Sequence, residues 1–286
     1  MAVNYKAPTM ADDNQEFSNY VALANRLADE ASKETLPRFR NKTEVFNKAG
    51  LWFDPVTNAD RESERAIRRM IQMVYPRHAI HGEEFGEELG KNPDGEEGNS
   101  PWRWVIDPID GTRAFVCGVP SWMTLIALEH EEKPVLGLLD QPFTGERWVG
   151  TRDETKYYHR DDVKTCKTST ITQLDKARIT TTDPRRVQGY FDASEADAFR
   201  ELSKATRLAR FSMDAYGYAL LAHGELEIVL ESGLSHHDYA ALEPVVLGAG
   251  GVFTNWSGDP VGTDDRGEVL ACANHELHQK ALVFLH

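Results

Sequence analysis

Residues 104–115 read WVIDPIDGTRAF, and this stretch decides the fold. Asp107 and Asp110 stand three residues apart among apolar neighbours, and a Gly-Thr pair follows them. Carboxylates are almost never fully buried unless something pairs with them, so this pair calls for positive charge. Pro108 keeps Asp107 out of the helical region. The extended chain then lets the Asp107 carboxylate, the Ile109 carbonyl and the Asp110 carboxylate converge. Hard divalent cations such as Mg²⁺ take oxygen ligands of this kind. Gly111 lets the backbone approach a ligand closely, and with Thr112 it offers N–H groups to a phosphate if a helix starts there.

Working outward, three further segments carry carboxylates at the ends of elements: Asp60, Glu83 with Glu84, and Asp238. Without a cation such a cluster repels itself or takes up protons. Each piece also has a local reading. Asp60 closes a capping box with Thr57 as N-cap in TNAD. GEEFGEE reads as a solvated acidic turn, Asp238 as a helix N-cap, and DPIDGT as a turn.

The whole chain limits the possibilities. Its 286 residues suffice for one large domain or two intimate halves. Lys and Arg number 32 against 46 Asp and Glu, a net charge of −14. Such a surface repels nucleic acid and anionic membranes, and a phosphorylated substrate too unless cations are bound. The opening MAVNYKAPTMADDNQEF has no apolar core like that of a signal peptide, and no run approaches a membrane span. Cys117, Cys166 and Cys272 are scattered and odd in number, which argues for a reducing compartment and a cytoplasmic protein.

Apolar residues at three- and four-residue steps predict helices over 16–40, with Pro37 as end or kink, and over 61–75, stopped by Pro76. HAIHGEEFGEE reads as a short strand ending in an acidic turn, and 90–101 as a polar loop. Strands are expected in WRWVIDPIDGT, WMTLIALEH, KPVLGLLDQP, ERWVGT, ARITTTD and LEIVLES. The region 151–173 is polar and weakly patterned. Helices are expected in SEADAFRELSKA, SMDAYGYALLAHG and YAALEPVVLGAGG, where Pro244 should kink the last or shift its start.

Taken together, DPVTNAD, GEE, WVIDPIDGTRAF and HHDYAALEPVVLGAGG resemble the inositol monophosphatase family in order and spacing, from about residue 16 to the C-terminus. The resemblance implies an α/β (α+β) layered sandwich, the sugar-phosphatase fold, as a single phosphatase domain over 1–286. Its metal-site half would run over about 16–165 and its C-terminal α/β half over about 166–286. It also implies phosphomonoester hydrolysis with two or three Mg²⁺ per active site, a small phosphorylated metabolite as substrate, and a homodimer. Carried over by motif, Glu83, Asp107 and the Ile109 carbonyl hold one Mg²⁺; Asp107, Asp110 and Asp238 hold a second. Asp60 and Thr112 orient and activate the attacking water, with Glu84 in the same network. Gly111 and Thr112 cradle the phosphate.

Many family members have Trp before the last metal aspartate, where this chain has His237. LGLLDQPFTGERWVG, MDAYGYALLAHGELEIVLESGL and YAALEPVVLGAGG resemble the histidinol-phosphatase branch instead, in which a proline commonly takes the place of Pro244. By that alignment Asp214 and Glu231 line the leaving-group side. Histidinol carries an ammonium and an imidazole, and carboxylates pair well with both. Asp214 otherwise starts a helix, and Glu231 otherwise ends a strand. The expected reaction is hydrolysis of histidinol phosphate. The alternatives are an inositol or other sugar phosphate, a 3′-phosphonucleotide, or a non-catalytic metal-binding relative.

Overall fold

The computed structural model describes residues 10–41, 45–47, 55–92, 94–98, 100–186, 189–262 and 266–285. Residues 1–9 of the opening stretch, and Phe53 and Asp54 beside the TNAD segment, lie outside these. Helix α1 (Met10–Thr35) ends two residues before Pro37, so the helix expected over 16–40 stops short and 36–40 is a turn. The proline has no N–H to continue the ladder. Strands β1 (Val45–Asn47) and β2 (Pro55–Thr57) pair antiparallel and lead into α2 (Asn58–Val74). Thr57 caps α2 in a full capping box with Asp60, as TNAD suggested.

A large sheet follows. Strands β3 (Ala79–Gly82) and β4 (Gly86–Glu88) form a hairpin, where the sequence suggested one strand. A small antiparallel pair, β5 (Gly90–Lys91) and β6 (Glu97–Gly98), lies in the stretch expected to be a loop. The strand β7 (Trp102–Asp110) ends at helix α3 (Thr112–Cys117). Next come β8 (Met123–His130), β9 (Lys133–Gln141) and β10 (Glu146–Gly150). The weakly patterned 151–173 region also supplies two strands, β11 (Thr155–His159) and β12 (Asp162–Thr165). They extend the sheet at its edge, and β12 is exposed along its length, so no buried face imposes an alternating pattern there. The sheet order is β12-β11-β10-β9-β8-β7-β3-β4.

The second half builds a smaller sheet. A 3₁₀ turn at Leu174–Lys176 precedes β13 (Arg178–Thr181), α4 (Ala193–Ala205), β14 (Leu208–Phe211) and α5 (Ala215–Ala222). Then follow β15 (Ile228–Glu231), α6 (His236–Tyr239), α7 (Leu242–Gly248), β16 (Val252–Thr254), β17 (Val269–Cys272) and α8 (His275–Leu282). This sheet runs β14-β13-β15-β17-β16. Pro244 shifts the start of α7 rather than kinking it. It occupies the first turn, where its missing N–H leaves no hydrogen bond unmade.

Three of the apolar clusters among the described residues stack these elements into layers. Alternate strand residues point to opposite faces. Trp104 and Ile106 therefore pack with Tyr20, Leu27, Ile67 and Ile71 of α1 and α2. Val105 faces the other way, into a core shared with α5, α7 and the smaller sheet through Tyr218, Val245 and Val229. Ile179, Ile228 and Leu270 face out again, against α4 and α8 through Phe199, Leu202 and Leu277. The result is helices, sheet, helices, sheet, helices. Among the described residues no helix is long and apolar enough to cross a membrane.

Candidate active site

The acidic segments meet where β7 ends. Strand β3 runs parallel to β7 with Gly82 opposite Ile106, and the Glu83 N–H donates to the Ile106 carbonyl at 3.1 Å. That register sets Glu83 beside Asp107. The β7–β8 register then slips between Asp107 and Asp110. The Ile109 N–H donates to Asp107 Oδ1 at 3.0 Å, so the chain bends around the first carboxylate. Thr124 pins the bend by donating to the Pro108 carbonyl at 2.8 Å.

Asp238 arrives from α6. It is the third residue of that helix rather than the N-cap suggested by sequence. Ser235 is the cap, and its N–H donates to Asp238 Oδ2 at 2.6 Å. One carboxylate oxygen from each of Asp107, Asp110 and Asp238 lies within 4.8 Å of the others. Glu83 is within hydrogen-bonding reach of Asp107. The Asp110 carboxylate accepts from the Ala215 N–H at 2.6 Å, at the start of α5.

Burial and mutual repulsion dominate the electrostatics. Asp107 is pushed well above the ordinary carboxylate range by burial, then by Glu83, Asp110 and Asp238. Asp110 is pushed up by burial, then by Asp214 and Asp238. Among the described residues no Arg or Lys ranks with the largest influences on either aspartate. An all-oxygen donor set with this self-repulsion fits a hard divalent cation.

Asp60 stands beside the cluster on the first turn of α2. Its Oδ2 accepts from the Thr57 N–H at 2.8 Å and from the Thr57 hydroxyl at 2.7 Å. Burial lifts it to about 7 against those bonds, and Glu83 and Glu84 add to the rise. The Thr112 hydroxyl lies 3.5 Å from Asp60 Oδ1 and 3.1 Å from the Ile109 carbonyl. That carbonyl retains a second lone pair for another partner. Glu84 is nearly buried, with Arg61 3.6 Å away.

Gly111 and Asp214 adjoin. Gly111 caps α3 at φ 81°, and a Cβ there would stand 3.0 Å from the Asp214 carboxyl group. Asp214 precedes α5 at φ 49°, so it both starts the helix and faces the site. Burial raises it to about 6, with Arg113 opposing. Glu231 is 2% exposed and accepts from the Thr181 hydroxyl and from the Thr182 N–H and hydroxyl. Burial lifts it to about 8 against those bonds, with Asp214 adding to the rise.

Two neighbours were not foreseen. The Arg113 guanidinium sits 4.9 Å from the Tyr190 ring centroid and 3.7 Å from Asp183. Burial raises the Tyr190 phenol; Arg113 opposes, while Asp214, Asp110 and Asp238 add to the rise. Arg113 follows Thr112 directly, which was a usable signal. Tyr190 lies in an aperiodic loop and gave none. His237 has Nε2 3.5 Å from Asp238 Oδ1.

Carboxylates thus converge at strand and helix ends of a layered α/β fold. The sequence profile of the inositol monophosphatase family matches residues 16–285, and the chain belongs to that family. The bifunctional phosphatase IMPL2 of Arabidopsis thaliana is 34% identical over 99% of this chain and 81% of its own length. A histidinol-phosphatase of Streptomyces coelicolor is 33% identical over 94% of this chain and 98% of its own. Among solved structures, an inositol monophosphatase from Zymomonas mobilis superposes with a TM-score of 0.80 at 35% identity, covering 94% of this chain and 98% of that one.

Proposed function

We propose that this chain is a Mg²⁺-dependent phosphomonoesterase and that histidinol phosphate is its substrate. The convergence of Asp107, Asp110 and Asp238 beside the Asp60–Thr112 pair carries the activity. In this reading Glu83, Asp107 and the Ile109 carbonyl hold one Mg²⁺, and Asp107, Asp110 and Asp238 hold another. Bound there, the ions would make a water acidic enough to yield hydroxide near neutral pH and neutralise the leaving oxygen.

The chain's own groups do the rest. Thr112 orients the attacking water with its hydroxyl and passes the proton towards Asp60. Thr57 fixes the Asp60 carboxylate from two sides. Glu84 completes that network. The Gly111 and Thr112 N–H groups receive the phosphate, whose in-line displacement needs no cysteine or serine nucleophile.

The substrate assignment is supported by the histidinol-phosphatases that resemble this chain and by the Asp214 carboxylate beside Gly111. A leaving group with an ammonium and an imidazole finds opposite charge there. Inositol 1-phosphate is the second reading, favoured by the likeness to the Zymomonas mobilis enzyme. Phosphate release from L-histidinol phosphate, inositol 1-phosphate and a 3′-phosphonucleotide, with and without Mg²⁺, separates the readings. Turnover should require Mg²⁺ and favour histidinol phosphate. Preference for inositol 1-phosphate would move the assignment to the second reading, and no Mg²⁺-dependent release from any ester would end it.

A further inference from the structure

Glu64 lies one helical turn beyond Asp60 on the buried face of α2 and is fully buried. Its Oε2 accepts from the Glu84 N–H at 2.7 Å. Its Oε1 accepts from Arg68 Nε at 2.7 Å and, more weakly, from the Phe85 N–H at 3.3 Å. Arg68 is itself buried, and its other nitrogens hold the Gly86 carbonyl and, at 3.3 Å, Glu88. The carboxylate stands where a Cβ on residue 82 would have to go, so only glycine lets β3 end there. Thus one ion pair grips the 82–86 turn on both its N–H and its carbonyl side. That turn presents Glu83 to Asp107 and Glu84 to the Asp60 side.

We propose that Glu64, clamped by Arg68, is a positioning residue that aims Glu83 and Glu84 into the cation site. This rests on the reading of those two glutamates as site residues. Glu64 touches no substrate. It acts by removing the freedom of the turn, so α2 delivers Asp60 and the scaffold of the neighbouring ligand from successive turns. A purely structural pair is the competing reading, and the molecule contains a comparison for it. Glu227 is also fully buried and pairs with Arg178 at 2.7 Å while accepting from the Arg178 N–H, but it sits on β15's approach and holds none of the acidic-site residues.

The test is calorimetric titration of the EDTA-treated full chain with Mg²⁺, with thermal unfolding recorded beside it. Glu64→Gln should weaken Mg²⁺ binding by about 10–100-fold, the usual loss when a ligand's outer support is removed. Glu227→Gln should lower the unfolding temperature and leave Mg²⁺ affinity unchanged. If Glu64→Gln does not fold, Arg68→Lys decides: it keeps the charge but lacks the planar fork, and should weaken Mg²⁺ binding in the same direction. A folded Glu64→Gln or, failing that, Arg68→Lys that binds Mg²⁺ as the wild type does overturns the positioning role. Wild-type protein that binds no Mg²⁺ overturns the site reading and the clamp with it.

Discussion

Two sets of buried carboxylates in this molecule obey opposite rules. Glu129, fully buried on β8, has Arg103 at 2.7 Å and His236 at 2.6 Å. Burial alone would raise it, but His236 and Arg103 outweigh that and hold it below the ordinary value. Glu227 is likewise held down by Arg178 against its burial. Asp107 and Asp110, at the end of the neighbouring strand, are pushed up by burial and by other carboxylates. Where the fold needs a buried carboxylate for itself, it supplies the cation from its own chain. At the end of β7 the described residues bring together more carboxylates, an arrangement that a cation from outside would neutralise.

The sharpest way to break this comparison is Asp107→Asn. The carboxylate is expected to serve both cations, and an amide supplies no negative charge. Turnover should be abolished and Mg²⁺ binding weakened, checked by phosphate release at saturating substrate and Mg²⁺. Near-normal turnover there would remove Asp107 from the site.

On the other side of the comparison, Glu129→Gln leaves Arg103 without its buried partner. It should destabilise the fold by about 3 kcal/mol, at the low end for a broken buried pair because Arg103 is partly exposed. Urea unfolding in EDTA checks this. A neutral effect would mean that the chain's own cations contribute little.

Asp214 lies between the two sets, with Arg113 opposing its rise. Asp214→Asn should raise KM for histidinol phosphate by about ten- to a hundredfold, for a lost charge-assisted contact of roughly 1.5–3 kcal/mol. Hydrolysis of β-glycerophosphate, whose leaving group is neutral, should change far less. Equal losses on both esters would assign Asp214 to the fold or the metals.

The smallest effect concerns a buried base without a counter-charge. Burial lowers His78 to about 4, and its Nδ1 accepts from Trp104 Nε1 at 3.1 Å. Its folded value lies below the unfolded one, so the neutral form stabilises the fold above about pH 6.5, and this is lost as pH falls towards 4. Partial solvent screening reduces the term to about 1–2 kcal/mol. Compared with the wild type, His78→Gln should show a flatter loss of stability between those values in urea unfolding. Parallel curves would contradict it.

The two sets also differed in how legible they were. The acidic site could be read because its residues cluster in short local motifs: DPIDGT, GEE and TNAD each carry their geometry within a few positions. Long periodic helices and apolar strands were equally plain, since a half-buried face imposes a period on the sequence. The paired carboxylates gave no such signal. Glu129 meets His236 and Glu227 meets Arg178 only through sheet register and chain crossing, 107 and 49 positions apart. Exposed β12 and the β4 hairpin went unseen for a related reason, because strands without a buried face carry no alternation. The local reading of Asp238 as an N-cap was off by three residues, because Ser235 is the cap and Asp238 closes the capping box from the third helical position.

The central claim is that the end of β7 is built for a cation that the chain does not supply. Thermal unfolding of EDTA-treated wild type and Asp107→Asn, each with and without Mg²⁺, tests it directly. Without Mg²⁺ the variant should be the more stable, because it removes a repelling charge. With Mg²⁺ at 100 times its dissociation constant the wild type should gain about 2.7 kcal/mol, and the variant far less. A wild type indifferent to Mg²⁺, together with a variant less stable than it in EDTA, would contradict the account.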